Sequence, residues 1–362
     1  MLPVYVRLEE GSTNSLKSGY NCAGLQKENN YSNLTGENYG NDVLLTIAGA
    51  GTLYATGGNT GDFGAGGAGI GGGNCREGKH IEIRGGTVIA TGGEYSAGIG
   101  GSYKAGSNHI TISGGNVTAY GGKGSAGIGG SYTVYSNYIA ITGGTVTATG
   151  GDFGAGIGDS YITSSYIVIK GGTVNAIGGK YSNGIGDGSG DYCRVFISGG
   201  NIKTNGIRAV PTAADGVTPV YKATFTVPGT GISTGTAVSG LNIPGYNTNS
   251  IVTLDNNKVF TYLPENTSNT RTTATYGGRL YAVQVNTAGT AAFTLVPPII
   301  SEISSPATVT TGNPLSVTAP TINANGFTIA SQGWQLKKPG GSYEMFDPSG
   351  AALDMTYNNA SL

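Results

Sequence analysis

A nine-residue segment of this chain recurs four times at nearly constant spacing. The copies are GGTVIATGG at 85–93, GGNVTAYGG at 114–122, GGTVTATGG at 143–151 and GGTVNAIGG at 171–179, and a G-I-G tripeptide follows each one. The glycine pairs that open these copies, together with a fifth pair at 199, begin 29, 29, 28 and 28 residues apart. A fixed period of roughly 20–50 residues is typical of solenoids, in which each repeat forms one coil of a stacked array.

The pattern inside each repeat predicts three short strands per coil. An I-x-I segment comes first (Ile81 and Ile83), T-V-x-A follows (Val88 and Ala90), and G-I-G comes last (Ile99). Alternation with period two places the aliphatic side chains of a strand on one face. We therefore expect an all-β, parallel β-solenoid with coils of about 29 residues, and a core of stacked isoleucine, valine and alanine columns.

The extent of the repeat predicts where the domains begin and end. Degenerate copies extend the array towards the N-terminus, and the pattern ends after Ile202, so residues 1–207 are predicted to form the solenoid. Short β-type runs separated by glycine, proline and asparagine follow in 208–298, which predicts a small β-sandwich. Residues 299–362 are too few for a complete immunoglobulin-type sandwich and are predicted to be a partial Ig-like domain.

Composition limits the classes of partner. Charged residues make up 11% of the chain and the net charge is −1, which offers no electrostatic attraction to nucleic acid or to an anionic membrane. Three widely separated cysteines, without a C-x-x-C pair, argue against a disulfide framework or a zinc site. The sequence contains neither a signal peptide nor a run of 18 apolar residues, so the targeting segments of an exported protein would lie outside it.

Two motifs carry a family resemblance. LTIAGAGTLYATGG at 45–58 and GAGIGG at 67–72 resemble the glycine-rich repeats of large modular surface proteins of Gram-positive bacteria. The resemblance covers roughly residues 40–205 and implies an exported, extracellular protein in which Ig-like modules follow the array. It implies no particular activity.

An acidic column follows the G-I-G tripeptides. The position after the tripeptide is occupied by Gly101, Gly130, Asp159 and Asp187 in successive repeats. Two carboxylates on adjacent coils would lie about 5 Å apart, and such a pair recruits a cation or raises one of the two pKa values. Asp159 and Asp187 are therefore the candidate metal ligands, for Ca²⁺, although their interpretation as ordinary solvated residues at a loop edge is favoured. Apart from this ion, no cofactor is predicted.

Aromatic residues recur at two other fixed offsets. Tyr103, Tyr132 and Tyr161 each come four residues after the G-I-G isoleucine, whereas Tyr95, Phe153 and Tyr181 each come ten residues after the glycine pair. Rows of rings beside asparagine and serine suit glycan binding, and they suit mutual packing at the edge of a solenoid as well. These six residues are the candidate ligand-binding residues. A further column contains His80 and His109 and continues as Tyr138 and Tyr166; exposure beside a strand is favoured there over a metal site.

These observations favour a cell-surface adhesion or ligand-binding repeat protein that binds glycans on a host or cell-wall surface without catalysis. One alternative is a polysaccharide-active β-helix enzyme, a lyase, glycosidase or phage tail-fibre-like depolymerase, that uses Asp159 and Asp187. Another is an ice-binding solenoid, because threonines recur at the outward positions of the second strand. The sequence leaves the oligomeric state open.

Overall fold

The fold was analysed in a computed structural model. It describes residues 3–27, 43–59, 66–131, 137–160, 165–186, 193–266, 272–286 and 291–297, and short segments between 299 and 356. All regular elements in this part of the chain are β-strands. No helix that could cross a membrane occurs among these residues.

The N-terminal two hundred residues form a parallel β-solenoid with three sheets. Sheet A holds the first strand of each coil: Val4–Leu8, Leu45–Gly49, Gly78–Ile83, Ser107–Ile112, Asn137–Ile141, and the first halves of Ser165–Ile177 and Arg194–Thr204. Sheet B holds the second: Thr13–Lys17, Thr52–Thr56, Thr87–Thr91, Asn116–Tyr120, Thr145–Thr149, and the second halves of the same two long strands. Sheet C holds the third: Leu25–Gln26, Ile70–Gly71, Ile99–Gly100, Ile128–Gly129, Ile157–Gly158 and Ile185–Gly186.

Equivalent residues of successive coils pair in parallel register. Ile128 pairs with Ile99 on one side and with Ile157 on the other, and all three have no exposed surface. The valine and alanine columns of sheet B and the isoleucine columns of sheet A are equally buried. The predicted solenoid is thus confirmed, and its core consists of columns that run along the axis.

The second glycine of each G-I-G tripeptide makes the corner after sheet C possible. Gly129 has a φ of 135°, a left-handed conformation that residues with a side chain rarely adopt. A Cβ atom at this position would lie 1.8 Å from the carbonyl oxygen of Gly158 in the next coil. The glycine therefore allows both the turn and the close approach of neighbouring coils.

A five-stranded sheet follows the solenoid. Its strands occur in the order Lys258–Pro264, Val220–Thr226, Ala291–Leu295, Arg279–Gln284 and Thr272–Tyr276. A small antiparallel pair joins Ala237–Val238 to Ile251–Val252. Further short antiparallel pairs are Ile299–Ile300 with Ile322–Asn323, Pro314–Leu315 with Met355–Thr356, and Gln335–Lys337 with Tyr343–Met345.

The chain divides into two compact units. One comprises Met1–Ala274 and Val283–Phe293, and the other comprises Thr275–Ala282 and Thr294–Leu362. The change of architecture near residue 207 therefore lies inside the first unit. The proposed partial Ig-like domain at 299–362 falls mostly outside the described residues.

Residues that follow the solenoid cover its last coil through buried hydrogen bonds. The fully buried side chain of Asn201 donates to the carbonyl oxygen of Val252 at 2.6 Å and accepts from the amide of Phe260 at 2.7 Å. The Tyr246 hydroxyl donates to the carbonyl oxygen of Gly200 at 2.8 Å and accepts from the amide of Tyr262 at 3.2 Å. Solenoids need such a cover because an uncapped final coil exposes core and unpaired strand edges.

Replacing Ile128 with aspartate tests the stacked core. The change buries an unpaired charge between two other coils, and we expect it to lower the free energy of unfolding by about 4 kcal/mol or more. The matched control is Ile177→Asp, because Ile177 lies on the outer face of sheet B with 40% of its surface exposed; its effect should stay within about 0.5 kcal/mol. Urea denaturation of both variants measures the difference, and equal losses would contradict the column arrangement.

Alkaline pH tests the cover of the last coil. Burial raises the pKa of Tyr262 from 10.0 to about 12, and burial also raises the pKa of Tyr246. Because the folded protein holds the neutral phenol, stability is intact below pH 10 and is lost as the pH rises from 10 towards 12, by at most about 3 kcal/mol for Tyr262. Tyr262→Phe should move the alkaline unfolding midpoint upward, whereas Tyr20→Phe, at a position that is 68% exposed, should leave it unchanged.

Candidate binding site on the outer face of sheet A

Four rings stack on the outer face of sheet A, one from each of four successive coils. The ring centroids lie 5.0 Å apart between His80 and His109, 5.4 Å between His109 and Tyr138, and 5.5 Å between Tyr138 and Tyr166. Each ring belongs to the residue directly before the I-x-I segment, so the four rings occupy equivalent positions of successive coils, and Tyr138 pairs with Tyr166 in register. We call this row the sheet A ladder.

The two histidines occupy an unusual backbone conformation. His80 and His109 have φ angles of 53° and 57°, and the strand pairing skips both residues before it resumes at Ile81 and Ile110. Histidine is among the residues that tolerate this left-handed region. The predicted exposure beside a strand is confirmed for His109, whereas His80 is half-buried.

The ring of Phe196 packs against the last ring of the ladder, that of Tyr166. Its ring centroid lies 4.6 Å from that of Tyr166, with a tilt of 34°. The register, however, pairs Phe196 with Val168 and places Arg194 opposite Tyr166. The contact is thus diagonal. In the last coil the ring of Phe196 lies two residues further along the strand than the other rings of the row, towards the middle of sheet A.

A groove lies inside this turn. It has a volume of about 300 Å³, at the lower end of the range for ligand sites, and is open to solvent. Its lining consists of Tyr138, Tyr166, Val168, Lys170, Phe196, Ser198 and Ala214. Val168 points outward, yet only 8% of its surface is exposed, because the surrounding rings cover it. The groove therefore has an apolar floor, aromatic walls and polar side chains at its rim.

Sequence reasoning missed this groove. It identified the column of His80, His109, Tyr138 and Tyr166, but not the stacking of these rings across four coils. The signal for Phe196 was the aromatic residue in the middle of the I-x-I segment of the last coil, where the earlier coils have Glu82, Thr111, Ala140 and Val168. Ala214 follows the repeats and carries no periodic signal.

The predicted ligand-binding residues occupy a different surface, the turns on either side of sheet C. Tyr95 and Tyr103 meet edge to face with centroids 5.8 Å apart, and Phe153 and Tyr181 stack at 4.8 Å. Gly124 takes the position equivalent to Tyr95 and Phe153 in the coil between these pairs, so no described ring joins one pair to the other. Tyr132 and Tyr161 lie outside the described residues. The structure thus brings together four of the six residues as two separate pairs.

Lysine side chains accompany both pairs. The ammonium group of Lys104 lies 5.1 Å from the ring centroid of Tyr103, and that of Lys180 lies 5.0 Å from the ring centroid of Tyr181. Such contacts hold the rings in place and occupy part of their faces.

Of the two aspartates in the acidic column, the structure describes Asp159. Asp159 is only 2% exposed, and its carboxylate accepts a hydrogen bond of 2.6 Å from the hydroxyl of Ser165. Its interpretation as a solvated residue at the loop edge is therefore wrong, because the side chain is buried and hydrogen-bonded. Asp187 lies outside the described residues, and the described part of the chain contains no cluster of three or more metal-ligating side chains. A Ca²⁺ site at Asp159 and Asp187 stays a prediction.

Comparison with known proteins agrees with the fold. Segments 81–103, 110–132, 139–161 and 167–189 match a family model described as a beta helix repeat. The chain is thus similar to a β-helix repeat over its central coils. No curated protein and no solved structure matches it.

Replacing Asp159 with alanine separates a structural carboxylate from a metal ligand. The change leaves the buried hydroxyl of Ser165 without this acceptor, and we expect it to lower the free energy of unfolding by about 1–3 kcal/mol, with or without a chelator. Asp152→Ala, at an exposed position of the same coil, should be neutral. A loss that appears only when calcium is present would instead identify Asp159 as a cation ligand, as the sequence predicts.

Proposed function

We propose that this chain is a non-catalytic repeat protein of the bacterial cell exterior that binds glycans along the outer face of sheet A. The fold supports a binding role because stacked coils form a rigid, extended surface on which side chains recur at fixed intervals. The resemblance of the repeats to those of Gram-positive surface proteins supports the exterior location. The low content of charged residues and the abundance of tyrosine, of which there are 22, fit a polar but weakly charged surface.

The groove beside Tyr166 is the observation that carries this proposal. Sugar rings have apolar C–H surfaces rimmed by hydroxyl groups, so their sites combine aromatic or aliphatic surface with a few polar groups. In the groove, Val168, Tyr166 and Phe196 supply the apolar and aromatic surface. Lys170 and Ser198 supply the polar groups. Every residue that lines the groove, except Ala214, lies on a strand of the solenoid. Little conformational entropy is therefore lost when a ligand binds.

The carboxylates near this surface favour binding over hydrolysis. Glu82 pairs with Arg84 at 2.8 Å. Asp215, next in sequence to Ala214, accepts hydrogen bonds from the amides of Val217 and Thr218, which hold the pKa of its carboxyl group below the ordinary value; the hydroxyl of Thr218 contributes most. Since glycoside hydrolysis needs two carboxyl groups that flank the scissile bond, engaged carboxylates support the non-catalytic alternative.

The other surfaces support the proposal less well. Among the described residues beside sheet C, only two pairs of rings are in contact, Tyr95 with Tyr103 and Phe153 with Tyr181. On sheet B, Tyr54 and Tyr120 are 44% exposed and interrupt the threonine array, so the flat surface that an ice-binding solenoid requires is broken. Both remain alternatives to be tested beside the groove.

Removing the two ladder tyrosines that line the groove tests the proposed function. We expect Tyr138→Ala with Tyr166→Ala to reduce retention on immobilised polysaccharides at least tenfold, because loss of a ring that contacts a ligand costs roughly 1–3 kcal/mol. The matched control is Tyr54→Ala with Tyr120→Ala, which removes two similarly exposed tyrosines from sheet B. Retention on a panel of neutral and acidic polysaccharides is measured together with the melting temperature.

Three outcomes would contradict the proposal. Equal retention by the ladder variant and the wild type would remove the groove from the site, and a loss restricted to Tyr95→Ala with Tyr103→Ala would move binding to the turns beside sheet C. Release of reducing ends from any polysaccharide would establish the enzymatic alternative.

A further inference from the structure

We infer that the groove selects glycans that carry negative charge, a class of ligand that deepens the proposed function and rests on it. The inference comes from the outward residues of coils five to seven on sheet A. In three successive coils these are Tyr138, Ala140 and Thr142; Tyr166, Val168 and Lys170; and Arg194, Phe196 and Ser198. This set contains two cations and no carboxylate, although the whole chain has a net charge of −1.

The cations of coil three and those at the groove differ in their partners. On coil three Arg84 pairs with Glu82, and Lys79 pairs with Glu77. Lys170 and Arg194 are exposed, and neither forms an ion pair with any residue in the described ranges. The charges on coil three are therefore neutralised within the protein, whereas Lys170 and Arg194 have no ion-pair partner among the described residues and can meet a ligand.

The position of the two cations suits one ligand. Lys170 lines the groove, and Arg194 lies in register beside Tyr166, whose ring forms its wall. A polymer that follows the groove would therefore meet an ammonium group and a guanidinium group on adjacent coils, four residues or roughly 13 Å apart along the strand direction. Arginine is suited to the planar or tetrahedral oxygens of a carboxylate or a phosphate, which it can bind with two hydrogen bonds.

The rings add to the same preference. The stacked Tyr138 and Tyr166 rings cover one another's faces, because their planes differ by only 16°, so the accessible surface is a strip of ring edges. Aromatic edges carry partial positive charge, and faces carry partial negative charge. A strip of edges beside two cations that have no described ion-pair partner attracts an anion, whereas a neutral sugar gains only the apolar floor and the hydroxyl donors.

A pair of matched polymers tests this inference. The wild type is titrated with a uronate-containing polysaccharide and with the same polysaccharide after reduction of its carboxyl groups to alcohols. A phosphate-bearing mannan and its dephosphorylated form make the second pair and distinguish the two sources of charge. We expect at least one charged polymer to bind roughly tenfold more tightly than its neutral counterpart, and this ratio to fall as salt is added.

Three variants identify the residues. Lys170→Gln with Arg194→Gln should bring the ratio of charged to neutral binding close to one, whereas Arg194→Gln alone, at a position outside the groove lining, should lower this ratio and keep binding of the neutral counterpart within about twofold. The control, Lys104→Gln with Lys180→Gln, removes the same net charge from the turns beside sheet C and should keep the preference.

The outcomes separate this inference from the proposed function. Equal binding of charged and neutral polymers would overturn the anionic preference and leave glycan binding intact. Absence of binding to every polymer would overturn both. A preference that survives in Tyr138→Ala with Tyr166→Ala, or that is lost equally in the control, would reveal unspecific attraction and overturn the assignment to the groove.

Discussion

Parallel hydrogen bonding between coils is the constraint on which the rest of this structure depends. Each strand pairs with the equivalent strand of the next coil, so every residue lies about 4.8 Å from its counterpart. A side chain is therefore packed chiefly by copies of itself. This explains why Ile99, Ile128 and Ile157 form one buried column, and why rings at one sequence offset stack into a ladder.

The same constraint determines what could be predicted from the sequence. Columns of identical residues identified the coils, the sheets and the buried isoleucines, because a period of 28 or 29 residues leaves little choice of register. It also placed His80 and His109 in one column with Tyr138 and Tyr166. The sequence did not predict that these rings stack. The structure shows it, with centroids of neighbouring rings 5.0 to 5.5 Å apart.

Features that break the period could not be predicted in this way. Asp159 is buried and accepts a hydrogen bond from Ser165, six residues later, which is a contact between non-equivalent positions of the repeat. Phe196 meets Tyr166 diagonally, across two columns rather than along one. The cover over Asn201 comes from residues 50 to 60 positions later, where no repeat exists. In each case the structure depends on a neighbour that periodicity does not specify.

The near-identity of the coils has a consequence for how such a protein changes over generations. Because every coil enters and leaves at the same register, a duplication or deletion of one whole repeat preserves all the columns and the covered last coil. Such an event would lengthen or shorten the sheet A ladder by one ring, while the groove formed by the last coils stays as it is. Recombination between successive, similar repeats such as 114–122 and 143–151 would therefore change the length of the surface in steps of one coil, and the longer or shorter chain would keep the same fold.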